Sequence, residues 1–169
     1  RHSVWCTLGI WLGDSASGLA NVMITWGMFY VFLFFYRCLF SVFGAAFVLL
    51  FTSFLGDANQ YQKRGFSFSG NWYRDPTVIT ENVGAVFSSM FLGNPYLINI
   101  GYQALAFYGI YRLLESCEPV TRRKLAVLSL FPSFSIWTSV ASKEAILTFA
   151  LGIIGSYFVM MYRGRPRLR

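Results

Sequence analysis

The longest apolar stretch of the chain runs from Val22 to Leu55, and Arg37 is its only charged residue. A helix that crosses a membrane needs roughly 20 apolar residues, so this stretch is too long for one ordinary span. One interpretation divides it at Tyr36-Arg37 into two spans, near Leu19–Tyr36 and Cys38–Leu55. The other is a single tilted span preceded by an interfacial helix.

Three later apolar stretches are candidate spans, and we predict spans at Pro95–Leu114, Leu125–Val140 and Ala145–Tyr162. Val83–Leu92 is apolar but too short to cross, which predicts an interfacial or re-entrant segment. The expected fold class is therefore all-α: a polytopic integral membrane protein with four to five transmembrane helices plus that short segment.

These predictions make residues 1–169 a single transmembrane helical domain. Its predicted parts are an N-terminal segment (1–18), one or two spans (19–55), an extracytoplasmic loop with an interfacial helix (56–94), three spans (95–162) and a basic cytoplasmic tail (163–169).

The composition supports a membrane protein and excludes several other classes. Only 12% of the residues are charged and 56% are hydrophobic, whereas soluble domains carry about 25% charged residues. A disordered chain is excluded by this hydrophobicity, and three cysteines without paired spacing do not suggest a disulfide scaffold. The chain carries a net charge of +7. We expect this charge to interact with the lipid bilayer and not with nucleic acid.

The basic residues predict how the spans are oriented. Arg122, Arg123 and Lys124 form one cluster, and the arginines of residues 163–169 form another. Two predicted spans separate these clusters, so both lie on one side, which the positive-inside rule makes cytoplasmic. In the five-span arrangement Arg37 and Arg112 lie there too, and the whole net charge falls on that face.

The segment that follows the first apolar stretch contains a candidate catalytic carboxylate. Asp57 lies at a predicted membrane exit, where partial desolvation raises the pKa of a carboxylate and suits it to act as a base. Tyr61 follows four residues later and shares a helical face with it. The alternative is structural, because Asp57 after Gly56 is also a good N-cap for a surface helix.

A second polar segment lies between the last two predicted spans. Pro132 breaks or kinks a helix there, and Lys143 and Glu144 occupy a short turn close to the bilayer. Ionisable groups at membrane depth are costly and often functional. The alternative is a tight hairpin in which Trp137 is an interfacial anchor and the two charged residues are solvated.

Arg74 is a weaker candidate, in the aromatic segment 71–76. It is able to hold a lipid phosphate bidentately, to pair with Asp75, or to contact headgroups nonspecifically. No metal site is predicted, since the chain has one histidine and no Cys-x-x-Cys pair.

Two patterns in these segments resemble a known group of proteins. They are Asp-x-x-x-Tyr-x-x-x-Gly, from Asp57, and Phe-Pro-Ser-x-x-x-Trp-x-Ser-x-x-x-Lys-Glu, from Phe131. Together they resemble bacterial inner-membrane polysaccharide polymerases and glycosyltransferases of the C-type membrane glycosyltransferase superfamily. The resemblance implies a multi-pass protein of the cell inner membrane whose donor is a sugar on a polyprenyl phosphate.

Carried over to this chain, the resemblance makes Asp57 the catalytic carboxylate and Lys143 or Arg74 the partner of the lipid phosphate. Tyr61, Trp137 and Glu144 complete the predicted substrate-binding set. No cofactor is implied beyond the lipid-linked sugar.

Two functions stay open at this point. Members of the superfamily have more spans than the four or five predicted here, which favours a shortened relative or the N-terminal part of one. The first function is a small integral subunit of a larger membrane assembly, whose 18 Phe, 10 Tyr and 5 Trp pack against other membrane subunits or lipid. The second is a glycosyltransferase or polysaccharide polymerase that uses Asp57.

Overall fold

The computed structural model describes the backbone of residues 3–50 and 75–163, with side chains from residue 25 onward. Both ranges are helical and contain no strand, which confirms the all-α prediction for the described residues. The helices are α1 (Ser3–Leu50), α2 (Pro76–Met90), α3 (Pro95–Ser116), α4 (Pro119–Ser129), α5 (Pro132–Trp137) and α6 (Lys143–Tyr162).

The chain forms two compact units, Arg1–Leu33 and Phe34–Arg169. In the first unit the described side chains include an aromatic cluster on α1. Trp26 meets Phe29 edge to face at 5.5 Å between ring centroids, and lies 6.1 Å from Tyr30. The buried polar residues described below all belong to the second unit.

α1 continues through Tyr36 and Arg37 without interruption, so the turn predicted between two spans at this point is wrong. The reason is that both side chains find polar partners inside the helical bundle. The Tyr36 hydroxyl donates to the Leu130 carbonyl at 2.7 Å, and Arg37 is fully buried. The prediction that placed Arg37 in a cytoplasmic loop is wrong for the same reason.

Proline sets where four of the helices begin. Pro76, Pro95, Pro119 and Pro132 each occupy the first turn of their helix. Proline suits that position because its φ is already helical and its missing N–H would have no intrahelical acceptor.

Side-chain caps add to this signal at three helix starts. Asp75 caps α2 and Asn94 caps α3 by accepting from backbone N–H groups of the first turn. Ser142 accepts from the Ala145 N–H at the start of α6. Each cap satisfies donors that the helix itself leaves unpaired.

α3 and α6 are parallel neighbours. Near their starts, the Asn99 side-chain oxygen accepts from the Ala141 N–H at 2.6 Å. At their ends, Arg163 donates to the Ser116 carbonyl at 2.9 Å. Between these points the backbone of Gly109 lies against Gly152, where neither residue has a side chain to hold the helices apart.

The segment between α3 and α6 runs back along the bundle, but it is not the continuous span predicted at Leu125–Val140. That prediction is wrong because Pro132 lacks an N–H and disfavours helix in the residue before it. α4 therefore ends at Ser129, and the short α5 begins at Pro132.

Hydroxyl side chains satisfy carbonyl groups that this break leaves outside a regular helix. Ser135 donates to the Ser129 carbonyl at 3.1 Å, and Ser142 donates to the Trp137 carbonyl at 3.2 Å. The hydroxyl-rich composition of residues 133–142 therefore has a structural role. Backbone of this kind is tolerated at membrane depth only where protein or water satisfies it.

The second half of α1 runs antiparallel to α3. Phe34 packs on Phe107 in the second half of α3, whereas Val48 packs on Val140, which precedes α6. We name the end of the bundle that holds Ser116–Lys124 and Arg163 the basic end. The opposite end, which holds the starts of α2, α3 and α6, is the neutral end.

α2 packs across the neutral end. Its Phe87 ring meets Tyr102 edge to face at 5.4 Å, and the Tyr102 hydroxyl donates to the Thr80 carbonyl. The predicted interfacial segment Val83–Leu92 covers the end of this helix and the turn after it. In that turn Leu92 and Gly93 both have positive φ, +52° and +71°.

Two described segments are long and apolar enough to cross a membrane: Thr25–Leu50 of α1 and Lys143–Tyr162, which is α6. The rest of the protein covers little of either helix. In the most apolar 18-residue stretch of each, only 33% and 17%, respectively, is buried. Most of the exposed side chains on these helices are large and apolar, as on Phe35, Leu39 and Phe158.

Candidate functional site

Arg37 lies at the centre of the most polar part of the bundle interior. Its Nη2 donates to the Thr138 hydroxyl at 2.6 Å and to the Thr138 carbonyl at 3.3 Å. Its Nε donates to the Gln103 side-chain oxygen at 3.4 Å, and its guanidinium carbon lies 5.7 Å from the centre of the Phe134 ring. These groups bring α1, α3 and the α5–α6 loop together.

All of these partners of Arg37 are neutral. A buried charge is ordinarily paired with an opposite charge or neutralised, but Thr138, Gln103 and Phe134 supply only dipoles and a ring face. Gln103 is itself fixed, because its side-chain amide donates to the Phe34 carbonyl at 3.3 Å and to the Cys38 sulfur at 3.4 Å. Among the described residues, the groups that hold the guanidinium in place are thus all neutral.

Three buried polar atoms near this point have no hydrogen-bond partner in the described part of the chain. They are Arg37 Nη1, Ser41 Oγ and Ser139 Oγ. Ser41 lies one turn after Arg37 on the same face of α1, and Ser139 follows Thr138 in the α5–α6 loop. We name Arg37, Ser41, Thr138 and Ser139 the Arg37 cluster.

The contact between α1 and the α5–α6 loop continues beyond the cluster with small and apolar groups. A Cβ on Gly44 would lie 2.5 Å from the Val140 side chain, and Val48 also packs there. Arg37, Ser41, Gly44 and Val48 follow a helical spacing, so one stripe of α1 carries both the polar and the apolar contacts.

The sequence did contain a signal for this site. An arginine inside an apolar stretch is either at a turn or held by polar groups at membrane depth. Asn99 and Gln103, four residues apart on the same predicted span, were the available indication of such polar groups. Both are fully buried in the structure.

Lys143, one of the residues predicted from sequence, lies at the neutral end. It is half-buried at the first position of α6. The pKa of Asp75 is lowered chiefly because the Thr77 N–H donates to its carboxylate at 2.7 Å, and the positive charge of Lys143 adds to this effect. Lys143, at the start of α6, thus lies close enough to Asp75, at the start of α2, for its charge to act on the carboxylate.

Glu144 and Trp137 are both exposed. The backbone carbonyl of Glu144 accepts from the Thr148 hydroxyl at 2.7 Å, a contact that belongs to the first turns of α6. Trp137 ends α5 with 55% of its surface exposed. These positions fit the hairpin interpretation as well as they fit a substrate site.

The other predicted site residues, Asp57, Tyr61 and Arg74, lie outside the described residues. Arg74 directly precedes Asp75 in the sequence.

The basic end joins the two basic segments. Arg163 forms an ion pair with Glu118 at 3.2 Å, and Arg122 pairs with Glu115 at 3.8 Å. Cys117 is buried between them as a free thiol. Burial raises the pKa of the Cys117 thiol, and the positive charges of Arg163 and Arg122 offset part of that rise.

Within residues 25–50 and 75–163, no three His, Cys, Asp or Glu side chains lie close enough together to share a metal ion. Comparisons of the chain with protein-family models, with curated proteins and with solved structures gave no match.

Proposed function

We propose that this chain is a polytopic membrane protein that crosses the bilayer four times, by α1, α3, the broken α4–α5 segment and α6. The uncovered apolar surfaces of α1 and α6 support this, because only lipid or other membrane helices match them. α3 and α4–α5 run beside these two helices along the same axis. In this proposal the membrane is the cell inner membrane. The basic end faces the cytoplasm, in agreement with the positive-inside rule.

We propose further that the protein is an integral subunit of a membrane assembly that acts on lipid-linked sugars. The observation that carries this proposal is that the start of α2 and the start of α6 both lie at the neutral end, where they pack around the first half of α3. It brings part of the predicted outer loop 56–94 to the same end of the bundle as the Lys143-Glu144 pair. Of the two patterns that resemble the glycosyltransferase superfamily, the first, from Asp57, belongs to that loop, and the second ends at Lys143-Glu144. Such an arrangement suits a lipid-linked substrate that reaches the neutral end from the bilayer.

The subunit role is tested by purification of the tagged chain from its native membranes in a mild detergent, followed by native mass spectrometry. We expect a complex that contains further membrane proteins. A second purification with Phe35→Ser and Phe158→Ser, on the two uncovered faces, should lose those partners while a Ser133→Ala control retains them. A monodisperse single chain from native membranes would contradict the subunit role.

A second candidate is an active glycosyltransferase or polysaccharide polymerase in which Asp57 is the outer-face carboxylate and Lys143 holds the lipid phosphate. The polar interior around Arg37, Asn99 and Gln103 favours it, because a passive anchor has no need of a buried guanidinium. Asp57→Asn should then abolish sugar transfer from a polyprenyl-phosphate donor in membranes that contain the chain, at unchanged expression. Unchanged transfer would remove Asp57 from this role.

A further inference from the structure

We propose that Arg37, Ser41 and Ser139 form a binding site for a phosphate group inside the bundle, reached between α1 and the α5–α6 loop. The site is separate from the outer-face residues predicted from sequence, and it does not depend on sugar transfer. Its basis is the set of three buried polar atoms without partners, Arg37 Nη1, Ser41 Oγ and Ser139 Oγ.

Three such atoms at one helix–loop contact require a physical explanation. A buried polar group that lacks a hydrogen bond is destabilising, and a buried unneutralised charge is more so. The neighbouring groups that Arg37 contacts are all neutral. An anion bound at this contact would neutralise the guanidinium and accept from both hydroxyls at the same time.

The donor set favours an oxyanion. Nη1 presents N–H groups in the rigid plane of the guanidinium, while Ser41 belongs to α1 and Ser139 to the α5–α6 loop. A phosphate group offers several acceptor oxygens in different directions, and arginine suits it because of its fixed, planar donors. A halide ion has a single acceptor centre. It therefore matches donors on both α1 and the α5–α6 loop less well than a phosphate group does.

The position along the bundle is compatible with a headgroup that enters from the neutral end. Gln103, which contacts Arg37, lies eight residues into α3, about 12 Å from the start of that helix at 1.5 Å per residue. The wall of the site on that side is the α5–α6 loop, which is not helical between Thr138 and Ser142. It meets α1 closely at Gly44 and Val140, so a headgroup that enters here has to part this contact.

The source of the phosphate is either a lipid headgroup or free phosphate, and paired probes separate them. The full chain in a neutral maltoside detergent is titrated with dioctanoyl phosphatidic acid, with dioctanoylglycerol as the same lipid without phosphate. Inorganic phosphate is titrated separately against chloride at equal ionic strength. Thermal unfolding followed by tryptophan fluorescence and isothermal calorimetry report binding.

We expect phosphatidic acid or phosphate to raise the unfolding temperature, and dioctanoylglycerol and chloride to have no such effect. A stronger effect of phosphatidic acid assigns the site to a lipid headgroup, and an equal effect of inorganic phosphate assigns it to the free ion. Either result supports the site. Equal stabilisation by dioctanoylglycerol or chloride, or no stabilisation by either phosphate probe, would overturn it.

Two sets of variants locate the binding. Arg37→Gln should abolish the phosphate-dependent shift. Because that variant removes a fully buried group that is needed for packing, the double variant Ser41→Ala/Ser139→Ala is the main test. It keeps the guanidinium and should weaken phosphate binding by about tenfold or more, given the strength of hydrogen bonds to charged groups.

The matched control is Ser89→Ala/Ser133→Ala, which removes two exposed hydroxyls from neighbouring helices. It should bind phosphate as the unaltered chain does. Equal affinity of the two double variants would contradict the proposed site.

Discussion

Gly109 of α3 and Gly152 of α6 contact each other through their backbones, and a Cβ added to Gly152 would overlap Gly109. This contact sets how closely the two parallel helices approach. It also lies midway between the hydrogen bonds of Asn99 and Arg163 that join the two ends of the pair. The spacing of the bundle therefore depends on two residues that have no side chain.

Gly152→Ala should accordingly destabilise the protein. The new methyl group meets main chain, which cannot move aside as a side chain would, and overpacking of this kind costs about 1–3 kcal/mol. Chemical or thermal unfolding in detergent measures the loss. Gly27→Ala is the control, since nothing lies within 4 Å of its added Cβ. Equal stabilities for the two variants would contradict the close α3–α6 contact.

Thr138→Val should loosen the contact between α1 and the α5–α6 loop. The Thr138 hydroxyl accepts from Arg37 and donates to the Phe134 carbonyl, and valine keeps its shape while losing both bonds. We expect a loss of about 1–2 kcal/mol in the free energy of unfolding. Thr148→Val, which removes an exposed hydroxyl bond, should cost under about 0.5 kcal/mol. Thr138→Ser should retain most of the stability if the hydroxyl is what matters.

The helix starts could be predicted from sequence, whereas the fate of the charged residues could not. Proline followed by a helical pattern, with Asp75 or Asn94 before it, indicates a helix start through local chemistry alone. A glycine in an apolar helix, as at residue 152, is likewise a local signal for close helix approach, and Gly152 does contact the backbone of Gly109. These signals depend only on neighbouring residues or on one helix.

Arg37 shows why the rest of the fold could not be predicted from the sequence. A single charge in an apolar stretch is consistent with a turn between two spans or with one helix whose charge is held by tertiary contacts. The choice depends on Thr138 and Gln103, which are distant in sequence. Pro132 does indicate the break between α4 and α5, whereas the apolar run around it favours a continuous span at Leu125–Val140.

Asp75 should show a pH dependence that reports its capping bond. Its pKa lies below the ordinary value because Thr77 donates to the ionised carboxylate. The cap therefore stabilises α2 at pH values above the ordinary pKa, and this stabilisation is lost as the pH falls through the lowered pKa. An NMR titration of the Thr77 amide should give a midpoint below 3.8, the ordinary value. Lys143→Met should move that midpoint upward, and Asp75→Asn should remove the titration. A midpoint above the ordinary pKa of an aspartate would contradict the cap.

Cys117 should react slowly with thiol reagents. Burial raises the pKa of its thiol and so lowers the fraction of reactive thiolate at neutral pH. In a background with Cys6→Ser and Cys38→Ser, alkylation by N-ethylmaleimide should be at least about tenfold slower than at an introduced Arg123→Cys. The rate should rise as the pH is increased. Equal rates at the two positions under native conditions would place Cys117 at the surface instead.

The central claim is that α1 crosses the membrane as one helix with Arg37 inside the bundle, between a basic cytoplasmic end and a neutral outer end. Single cysteines in a cysteine-free background, labelled with a membrane-impermeant maleimide in right-side-out vesicles, test it most directly. We predict that Asp75→Cys and Glu144→Cys label from outside. Glu118→Cys and Arg123→Cys should label only after permeabilisation. Phe35→Cys and Leu39→Cys should remain unlabelled in both cases. Labelling of Asp75→Cys and Arg123→Cys from the same side, or labelling of Phe35→Cys after permeabilisation, would contradict the account.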